Sequence, residues 1–445
     1  MVSDWKCVTI DEVLRYYGGE IKTGPFGTVL KASEYSTDGV PLISVGEIGF
    51  GRIEISSTTP RVSKEVTNRL PEYILKEGDI VFGRKGAVER CARVTMDQEG
   101  WFLGSDGIRV RLPITCNSQF VLYQLLTKTH REWMHQQSNG TTMASLNQSI
   151  IKRIPLTLPP LHEQRAIAHV LGSLDDKIEL NRRMNATLEE LARAIFKSWF
   201  VDFDPVRAKA AGRQPVGMDD ATAALFPDSF ETVDGREVPR GWEITPIEKQ
   251  VHIVGGGTPS TKESAYWDKG TICWATPKDL AKISSPFLLD TDRHITSLGL
   301  SQISSGLLPE GTVLLSSRAP IGYLAIAQVP TAINQGFIAL VCENKLPNSY
   351  ILLWSQENMD TIKSVANGTT FLEISKSNFR SIPIIVPSDE IIGQFVQQIN
   401  PLLNNIVNNL EHSLTLATLR DSLLPKLLSG EIRVRDAEHW IETVS

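Results

Sequence analysis

Two loop segments at corresponding places in the chain carry small and cationic residues that can contact phosphate groups or base edges. They are residues 22–28 and 255–262. Glycine allows a backbone to approach a ligand closely, and hydroxyl and ammonium groups donate hydrogen bonds to phosphate oxygens and bases. The same composition is also typical of an ordinary surface turn. The sequence therefore leaves both a nucleic-acid contact and a plain turn open at these positions.

A second matched pair of segments, 77–85 and 310–318, has in each case the pattern of a turn, a buried strand and an arginine. The guanidinium groups of Arg84 and Arg318 present forked donors that match guanine edges or phosphate. The alternative is a structural role in which each arginine pairs with a carboxylate of the fold. The candidate nucleic-acid contacts are Lys22, Thr23, Lys31, Arg84, Lys85, Arg90, Thr258, Ser260, Lys262, Lys278 and Arg318.

Motifs for catalysis or metal binding are missing from the sequence. The glycine run at 255–257 lacks the lysine of a nucleotide phosphate loop, and the Asp/Asn-Pro-Pro-Tyr/Phe tetrapeptide of DNA methyltransferases does not occur. Glu343 and Lys345 have the Glu-x-Lys spacing of many nucleases, but no Pro-Asp sits suitably upstream, so chance explains them better. The histidines form no closely spaced metal pair. We therefore expect no catalytic site and no metal site.

The paired loops lie in the two copies of an internal repeat, which aligns with a shift of 228 residues from Asn139 onward. Segment 139–160 aligns without a gap on 367–388, with eight identities in 22 positions. These identities include an Asn-Gly-Thr-Thr sequence at 139–142 and again at 367–370. A chain built from two copies of one unit can present two similar sites, and that arrangement suits a partner with two half-sites.

The repeat continues through two long predicted helices. Beyond Pro159-Pro160, apolar residues recur at alternating steps of four and three, a spacing that predicts a seam against a partner helix. The positions 228 residues later keep the same phase, and both stripes are polar at their centre. Two unrelated amphipathic surface helices are the alternative, which the shared phase disfavours. The predicted interface residues are Leu171, Leu174, Ile178, Asn181, Leu188, Ile195, Ile399, Leu402, Ile406, Asn409, Leu416 and Leu423.

Length and composition restrict the class of protein. A chain of 445 residues with 41% hydrophobic and 22% charged residues is typical of a globular protein with several domains. No apolar run approaches the roughly 20 residues that span a bilayer, and the amino-terminal sequence lacks the features of a secretion signal. The five scattered cysteines indicate reduced thiols. We therefore expect a cytoplasmic protein without a membrane partner.

The charge distribution permits nucleic-acid binding without requiring it. The net charge is −6, but the acidic residues are concentrated in the helical segments and the carboxyl-terminal tail. The densest basic window, 84–93, carries four cations against one anion. Such a local excess of positive charge attracts phosphate even on an acidic chain.

Several motifs resemble the specificity (S) subunits of type I restriction-modification systems over essentially the whole chain. They are Ile-Pro-Leu-x-Leu-Pro-Pro-Leu-x-Glu-Gln-Arg-x-Ile at 154–167, Trp-Phe-Val-Asp-Phe-Asp-Pro at 199–205, Gly-Pro-Phe-Gly at 24–27 and Leu-Leu-Ser-Gly-Glu-Ile at 427–432. The second helix departs slightly, because it starts with Ser-Asp-Glu at 388–390 where the first has Leu-His-Glu-Gln at 161–164.

The resemblance implies an α+β fold with two similar α/β target-recognition domains, separated by two long antiparallel helices, with a pseudo-twofold internal repeat. The implied segments are a first recognition domain (1–158), a central helical region (159–200), a linker (201–240), a second recognition domain (241–388), a carboxyl-terminal helical region (389–430) and a tail (431–445). Composition independently predicts a linker with local helix over 201–240.

The resemblance also implies a function. Such subunits are not catalytic; they bind an asymmetric, two-part sequence in double-stranded DNA and scaffold two methyltransferase (M) subunits, to which restriction (R) subunits add. No cofactor is then expected in this chain, whereas S-adenosylmethionine, ATP and Mg²⁺ are expected on the partner subunits. Two other classes stay open: a coiled-coil adaptor that binds only protein, and a solitary DNA methyltransferase or nuclease with a cryptic active site.

Overall fold

The computed structural model describes residues 5–138, 144–368 and 372–437. The first Asn-Gly-Thr-Thr sequence and the two threonines of the second lie outside the described residues. Contacts within the chain define two compact units, Met1–Ile178 with Leu414–Ser445, and Glu179–Ser413. We call them the first and second unit.

The first unit is built on short strands. In chain order these are β1 (Lys6–Thr9), β2 (Glu20–Thr23), β3 (Tyr35–Ser36), β4 (Val40–Ile43), β5 (Arg61–Val62), β6 (Ile80–Gly83), β7 (Cys91–Arg93), β8 (Phe102–Leu103), β9 (Gly107–Arg111) and β10 (Pro155–Leu158). Its short α-helices are α1 (Ile10–Tyr17), α2 (Lys64–Arg69), α3 (Ser118–Leu126), α4 (Lys128–Gln137) and α5 (Gln148–Lys152). The fully buried β6 lies inside an antiparallel sheet of order β2-β9-β6-β7, as its apolar sequence predicts.

The long helix α6 (Leu161–Phe200) begins directly after Pro159-Pro160. Proline is compatible with this position because the first amide groups of a helix have no partner within the helix. At the other end the helix stops before Phe203, which adopts a left-handed backbone conformation with φ of 56°. Residues 161–178 of α6 belong to the first unit and 179–200 to the second.

Segment 201–240 contains more structure than its composition predicts. It forms α7 (Asp204–Ala210), α8 (Asp220–Leu225) and a hairpin of β11 (Phe230–Val233) and β12 (Arg236–Pro239). The two residues of the hairpin turn are Asp234 and Gly235, with φ of 49° and 74°. An Asp-Gly pair indicates such a turn in a sequence because both residues tolerate positive φ. Phe203 and Phe226 of this segment are buried in the core of the second unit.

The second unit repeats the elements of the first. Its strands are β13 (Glu243–Pro246), β14 (His252–Gly255), β15 (Ile272–Ala275), β16 (Phe287–Leu288), β17 (His294–Ile295), β18 (Val313–Ser316), β19 (Leu324–Ala327), β20 (Thr331–Ile333), β21 (Phe337–Val341) and β22 (Pro383–Val386). Its helices are α9 (Pro277–Leu280), α10 (Ser297–Leu300), α11 (Asn348–Glu357), α12 (Met359–Ser364), α13 (Lys376–Arg380) and α14 (Asp389–Ser429), the last shared with the first unit.

Most strand pairings of the two units correspond, although among the described residues β3–β5 pairs only in the first unit and β11–β12 and β16–β19 pair only in the second. The order β14-β21-β18-β19 repeats β2-β9-β6-β7, and the antiparallel pair β13–β22 repeats β1–β10. The parallel pair β15–β20 with its antiparallel neighbour β17 likewise repeats β4–β8 with β5. The internal repeat is therefore a repeat of structure as well as of sequence.

The two long helices pack antiparallel, and we call their shared stripe the seam. In the second unit the Asn181 amide donates to Ser413 Oγ over 3.1 Å, whereas the later Asn185 donates to the carbonyl oxygen of the earlier Ile406 over 3.3 Å. Helix α14 ends at Ser429, and Gly430 follows with a left-handed φ of 70°, which suits glycine just past a helix end.

The residues predicted for the seam lie in the two cores. The seam residues of the first unit are buried or partly buried in the same core as apolar residues of its strands. They are Leu171, Leu174, Ile178, Leu416 and Leu423. The apolar seam residues of the second unit are buried or partly buried in its core, and they are Leu188, Ile195, Ile399, Leu402 and Ile406. At the polar positions, Asn181 is buried and Asn409 is half-buried. The predicted α+β class, with its repeated α/β domain and two long antiparallel helices, is confirmed. Across the described ranges, no helix is long and apolar enough to cross a membrane.

Candidate nucleic-acid interface

In the first unit, the loop after β2 is held tightly against the neighbouring turn. The Gly24 amide donates to the carbonyl oxygen of Gly107 over 3.0 Å. A Cβ atom at Gly24 would lie only 1.8 Å from the carbonyl oxygen of Gly104. No residue other than glycine fits this close approach, so the loop leaves the end of β2 in a defined direction.

The same loop meets the turn that follows β6. The Arg84 guanidinium lies 5.1 Å from the ring centre of Phe26, which is 56% exposed, and its Nη1 donates to the carbonyl oxygen of Ser105 over 3.3 Å. The Lys85 ammonium lies 3.6 Å from Asp106. The structure therefore brings two separately predicted segments, 22–28 and 84–85, into one exposed patch, the first loop cluster, which also includes Ser105 and Asp106.

Of the other candidates of the first unit, Lys22 and Thr23 have partners within the fold, and Lys31 is exposed. Lys22 lies 4.9 Å from the ring centre of Tyr73, and Thr23 Oγ1 accepts a hydrogen bond from Gln148 over 3.0 Å. Lys31 is exposed and begins a short 3₁₀ helix. These contacts orient Lys22 and Thr23 along the loop and leave Lys31 exposed at its end.

A cation–aromatic group that the sequence did not reveal surrounds Arg90. The guanidinium groups of Arg90 and Arg131 lie 5.9 and 5.3 Å from the ring centre of Phe50, whose side chain is 48% exposed. An exposed ring with two arginines offers a stacking surface for a base. Arg131 was missed because it belongs to helix α4, far from Arg90 in the chain.

In the second unit, the glycine-rich loop after β14 lies against the turn that follows β20. The Gly257 amide donates to the carbonyl oxygen of Ile333 over 3.0 Å, and a Cβ atom at Gly256 would lie 2.0 Å from that oxygen. The hydroxyl of Thr258 then hydrogen-bonds to the side-chain oxygen of Gln335. Gln335 was not predicted as a site residue, and a glutamine amide is one of the side-chain groups that can pair with adenine in the major groove.

Two tryptophans and an arginine complete this region, which we call the second loop cluster (255–262, Trp267, Trp274, Arg293 and Gln335). The Trp267 indole donates to the Ser260 carbonyl oxygen over 3.0 Å, and the Trp274 indole donates to the Gly257 carbonyl oxygen over 3.1 Å. The exposed Arg293 guanidinium lies 3.6 Å from the Trp267 ring centre and 5.4 Å from that of Trp274. Sequence spacing gave no signal for this stack because its members come from different strands and turns.

The remaining candidates of the second unit are spread around the cluster. Lys262 and Lys278 are exposed, the latter on α9. Arg318 Nη1 lies 3.5 Å from a carboxylate oxygen of Glu373, with both side chains partly exposed. Arg318 therefore has the carboxylate partner of the structural alternative, and an exposed pair of this kind contributes little to stability.

The two loop clusters share a scaffold but differ in chemistry. The first presents Phe26 with Arg84 and Lys85, and the second presents Thr258, Gln335 and a tryptophan-stacked arginine. Cations and backbone amides suit phosphate, whereas amide and guanidinium forks suit base edges. Each cluster therefore carries groups of the kinds that can contact phosphate or base edges, and the two clusters differ in those groups.

A family model described as the type I restriction modification DNA specificity domain matches residues 2–190 and again 239–416. The chain belongs to this family. It is a DNA-binding specificity subunit of a type I restriction-modification system. Subunits of this class are generally non-catalytic. Each of the two matches covers one copy of the internal repeat.

Curated relatives cover most of the chain. It is 29% identical to the HindI type I restriction enzyme specificity subunit of Haemophilus influenzae, over 71% of this chain and 77% of that protein. It is 24% identical to the MjaIX specificity subunit of Methanocaldococcus jannaschii, over 97% of this chain and 94% of that protein. The crystal structure of a type I S subunit from M. genitalium has a similar fold, with a TM-score of 0.56 and 16% identity over 95% of this chain and 96% of that one.

Proposed function

We propose that this chain recognises one asymmetric, two-part sequence in double-stranded DNA, with each loop cluster reading one part. The observation that carries the proposal is the pair of equivalent loops that differ in chemistry, Phe26 with Arg84 in one unit and Thr258 with Gln335 in the other. Equivalent scaffolds would dock in the same way on DNA, and different side chains would select different bases.

In and around each cluster we assign different roles to the candidate residues. Arg84 and Arg318 follow corresponding strands and are assigned to base edges or to the phosphates beside them. Lys31, Lys262 and Lys278 are exposed and are assigned to phosphate contacts. The other assigned contacts, which either touch phosphate or orient the loops, are Lys22, Thr23, Lys85, Arg90, Thr258 and Ser260.

We further propose that the chain has no catalytic activity and acts in a complex with two methyltransferase subunits and the restriction subunits. S-adenosylmethionine, ATP and Mg²⁺ are assigned to those partners, and the methyltransferase subunits flip the target adenines out of the duplex. The lengths of α6 and α14 are proposed to set the number of base pairs between the two parts of the target. The complex is proposed to work in the cytoplasm.

Mapping of methylated adenines in a host that carries this chain with its methyltransferase partner tests the proposal. We expect one motif made of two dissimilar parts, and a palindromic motif would contradict the proposal. With the purified S-plus-M complex, Arg84→Ala and Arg318→Ala are each expected to weaken binding to the mapped target about 5- to 150-fold, corresponding to about 1–3 kcal/mol. Arg15→Ala, which removes an exposed cation from α1, is the matched control and should leave affinity within about twofold.

The same reagents separate the two rival functions. Transfer of a methyl group to DNA by the purified chain alone, with S-adenosylmethionine supplied, would favour a solitary methyltransferase, and cleavage of DNA by it would favour a nuclease. If the S-plus-M complex binds random and target fragments equally weakly in a gel-shift assay, a protein-only adaptor is favoured. Strong salt dependence of target binding is expected of the proposed function because phosphate contacts release counterions.

A further inference from the structure

Three possible metal ligands converge at the edge of the small sheet in the second unit. Cys273 on β15 and His294 on β17 are directly opposite each other in the antiparallel pairing. Asp290 reaches the same point from the turn between β16 and β17. The Cys273 Sγ atom lies 3.7 Å from His294 Nε2 and 3.4 Å from Asp290 Oδ1, and the last two atoms are 2.9 Å apart.

The two separations that involve Cys273 Sγ, 3.4 and 3.7 Å, are close to the edges of a zinc coordination sphere. The 2.9 Å between His294 Nε2 and Asp290 Oδ1 is a hydrogen-bond distance, which would lengthen by about 0.5 Å around an ion. Zinc binds thiolate sulfur at about 2.3 Å, imidazole nitrogen at about 2.0–2.1 Å and carboxylate oxygen at about 2.0–2.2 Å, usually with tetrahedral angles. Ligands at those distances are then about 3.3–3.6 Å from one another. A thiolate, an imidazole and a carboxylate together are typical of zinc rather than of calcium or magnesium, which prefer oxygen ligands.

The geometry disfavours a nucleophilic Cys-His-Asp triad. In such a triad the nucleophile and the carboxylate bond to opposite nitrogens of the imidazole ring. Here both Cys273 Sγ and Asp290 Oδ1 approach the same nitrogen, Nε2 of His294. The three donor atoms therefore do not form a relay through the ring, and they lie close to one another, as the ligands of one ion do.

The ligands are held in place by the backbone around them. Buried Thr291 accepts a hydrogen bond from the Trp274 amide over 3.1 Å and donates to the Arg293 carbonyl oxygen over 2.8 Å. The turn that carries Asp290 is therefore fastened to β15 beside Cys273. The Asp290 side chain is 71% exposed and that of His294 32% exposed, so a water molecule can reach the fourth position.

We propose that Cys273, Asp290 and His294 form a zinc-binding site. The proposal does not rest on the proposed DNA-recognition function. It departs from the expectation of no metal site, because two of the ligands meet only across paired strands. Trp274 follows Cys273 on β15, and Arg293 directly precedes His294 at the start of β17. An ion bound here would therefore join the strand that carries Trp274 to the segment that carries Arg293, two members of the arginine–tryptophan stack.

Cobalt titration of the full chain, purified without a polyhistidine tag and stripped with a chelator, tests the site. We expect one equivalent of Co²⁺ to give tetrahedral visible bands and a thiolate charge-transfer band that Zn²⁺ removes. Cys273→Ser should abolish the charge-transfer band. Cys273→Ser and His294→Gln should each weaken metal binding more than about 100-fold, since even changes outside the ligand sphere cost 10- to 100-fold.

Two matched variants serve as controls because they change an exposed cysteine and an exposed histidine elsewhere. They are Cys7→Ser on β1 and His252→Gln on β14, and both should bind the metal as the parent does. Circular dichroism establishes that all variants are folded, and Zn²⁺ should raise the Tm of the controls but not of Cys273→Ser. The absence of a stoichiometric thiolate band, or a band that survives in Cys273→Ser, overturns the proposal.

Discussion

The side-chain amide of Asn409 on α14 donates a 2.8 Å hydrogen bond to the side-chain oxygen of Asn185 on α6. Asn185 is only 2% exposed, and its own amide donates to the carbonyl oxygen of Ile406. Each asparagine thus satisfies polar groups that the seam shields from water. Paired polar groups of this kind cost stability compared with apolar packing, but they favour one register between two helices.

Replacing Asn185 with alanine tests the pair. Asn185→Ala is expected to lower the free energy of unfolding by about 1–3 kcal/mol, because the Asn409 amide loses its acceptor inside the seam. Urea denaturation followed by circular dichroism measures the change. Asn408→Ala, at the exposed asparagine that precedes Asn409 on α14, should change stability by less than about 0.5 kcal/mol. Equal losses for the two variants would show that the pair has no special role.

In the first unit, Asp175 connects three helices. Its carboxylate accepts hydrogen bonds from Tyr123 of α3 over 2.6 Å and from Arg420 of α14 over 2.7 Å. Asp175→Asn is expected to lower the free energy of unfolding by about 1–2 kcal/mol. The loss is this small because the ion pair with Arg420 is partly exposed to water. The neighbouring Asp176→Asn is the control in thermal or urea unfolding, since Asp176 is exposed. A loss in Asp176→Asn as large as that in Asp175→Asn would argue against the three-helix connection.

In each glycine loop, two glycines are predicted to respond with opposite changes in stability when they are replaced by alanine. Gly24→Ala and Gly256→Ala are expected to destabilise by about 1–3 kcal/mol, because their Cβ atoms would collide with backbone atoms. Gly27→Ala and Gly257→Ala meet no close atoms and should be neutral or stabilising by up to about 1 kcal/mol, since alanine restricts the unfolded chain. Chemical denaturation of the four variants provides the comparison, and loss of stability in all four would contradict the assigned close approaches.

Burial lowers the pKa of His130 below its usual value of 6.5. Its ring nitrogens hydrogen-bond to the Thr127 hydroxyl and to the Pro155 carbonyl oxygen, both at 2.9 Å. The unfolded chain takes up a proton near pH 6.5, whereas the folded chain does so only at lower pH. Between those values the unfolded state binds more protons, so stability is complete above about pH 7 and falls as the pH decreases.

The pH dependence can be measured by urea denaturation from about pH 7 to about pH 5. His130→Gln should flatten the decrease in unfolding free energy, because the glutamine does not titrate. His135→Gln, at an exposed histidine of the same helix, should keep the parent slope. An unchanged slope in His130→Gln would exclude this histidine as the cause.

Much of the fold was predictable because it depends on local pattern. The 3.5-residue spacing and the proline pair before Leu161 predicted α6, and the repeated phase predicted α14. The hairpin at 230–239 was missed although Asp234-Gly235 is a strong turn signal, because the surrounding segment has a linker-like composition. For the interface, the sequence located the loops and Arg84, but it did not predict that Phe26 lies beside that arginine.

The sequence by itself determined the two-copy organisation, the helix phase and the glycine positions, since each of these follows from short-range spacing along the chain. Only the tertiary structure decided which side chains share a surface: Arg293 with Trp267 and Trp274, or Cys273 with His294. Those neighbours are brought together by strand pairing and turns between residues well separated in sequence. Register across strands depends on the packing of a whole core, which no local pattern encodes.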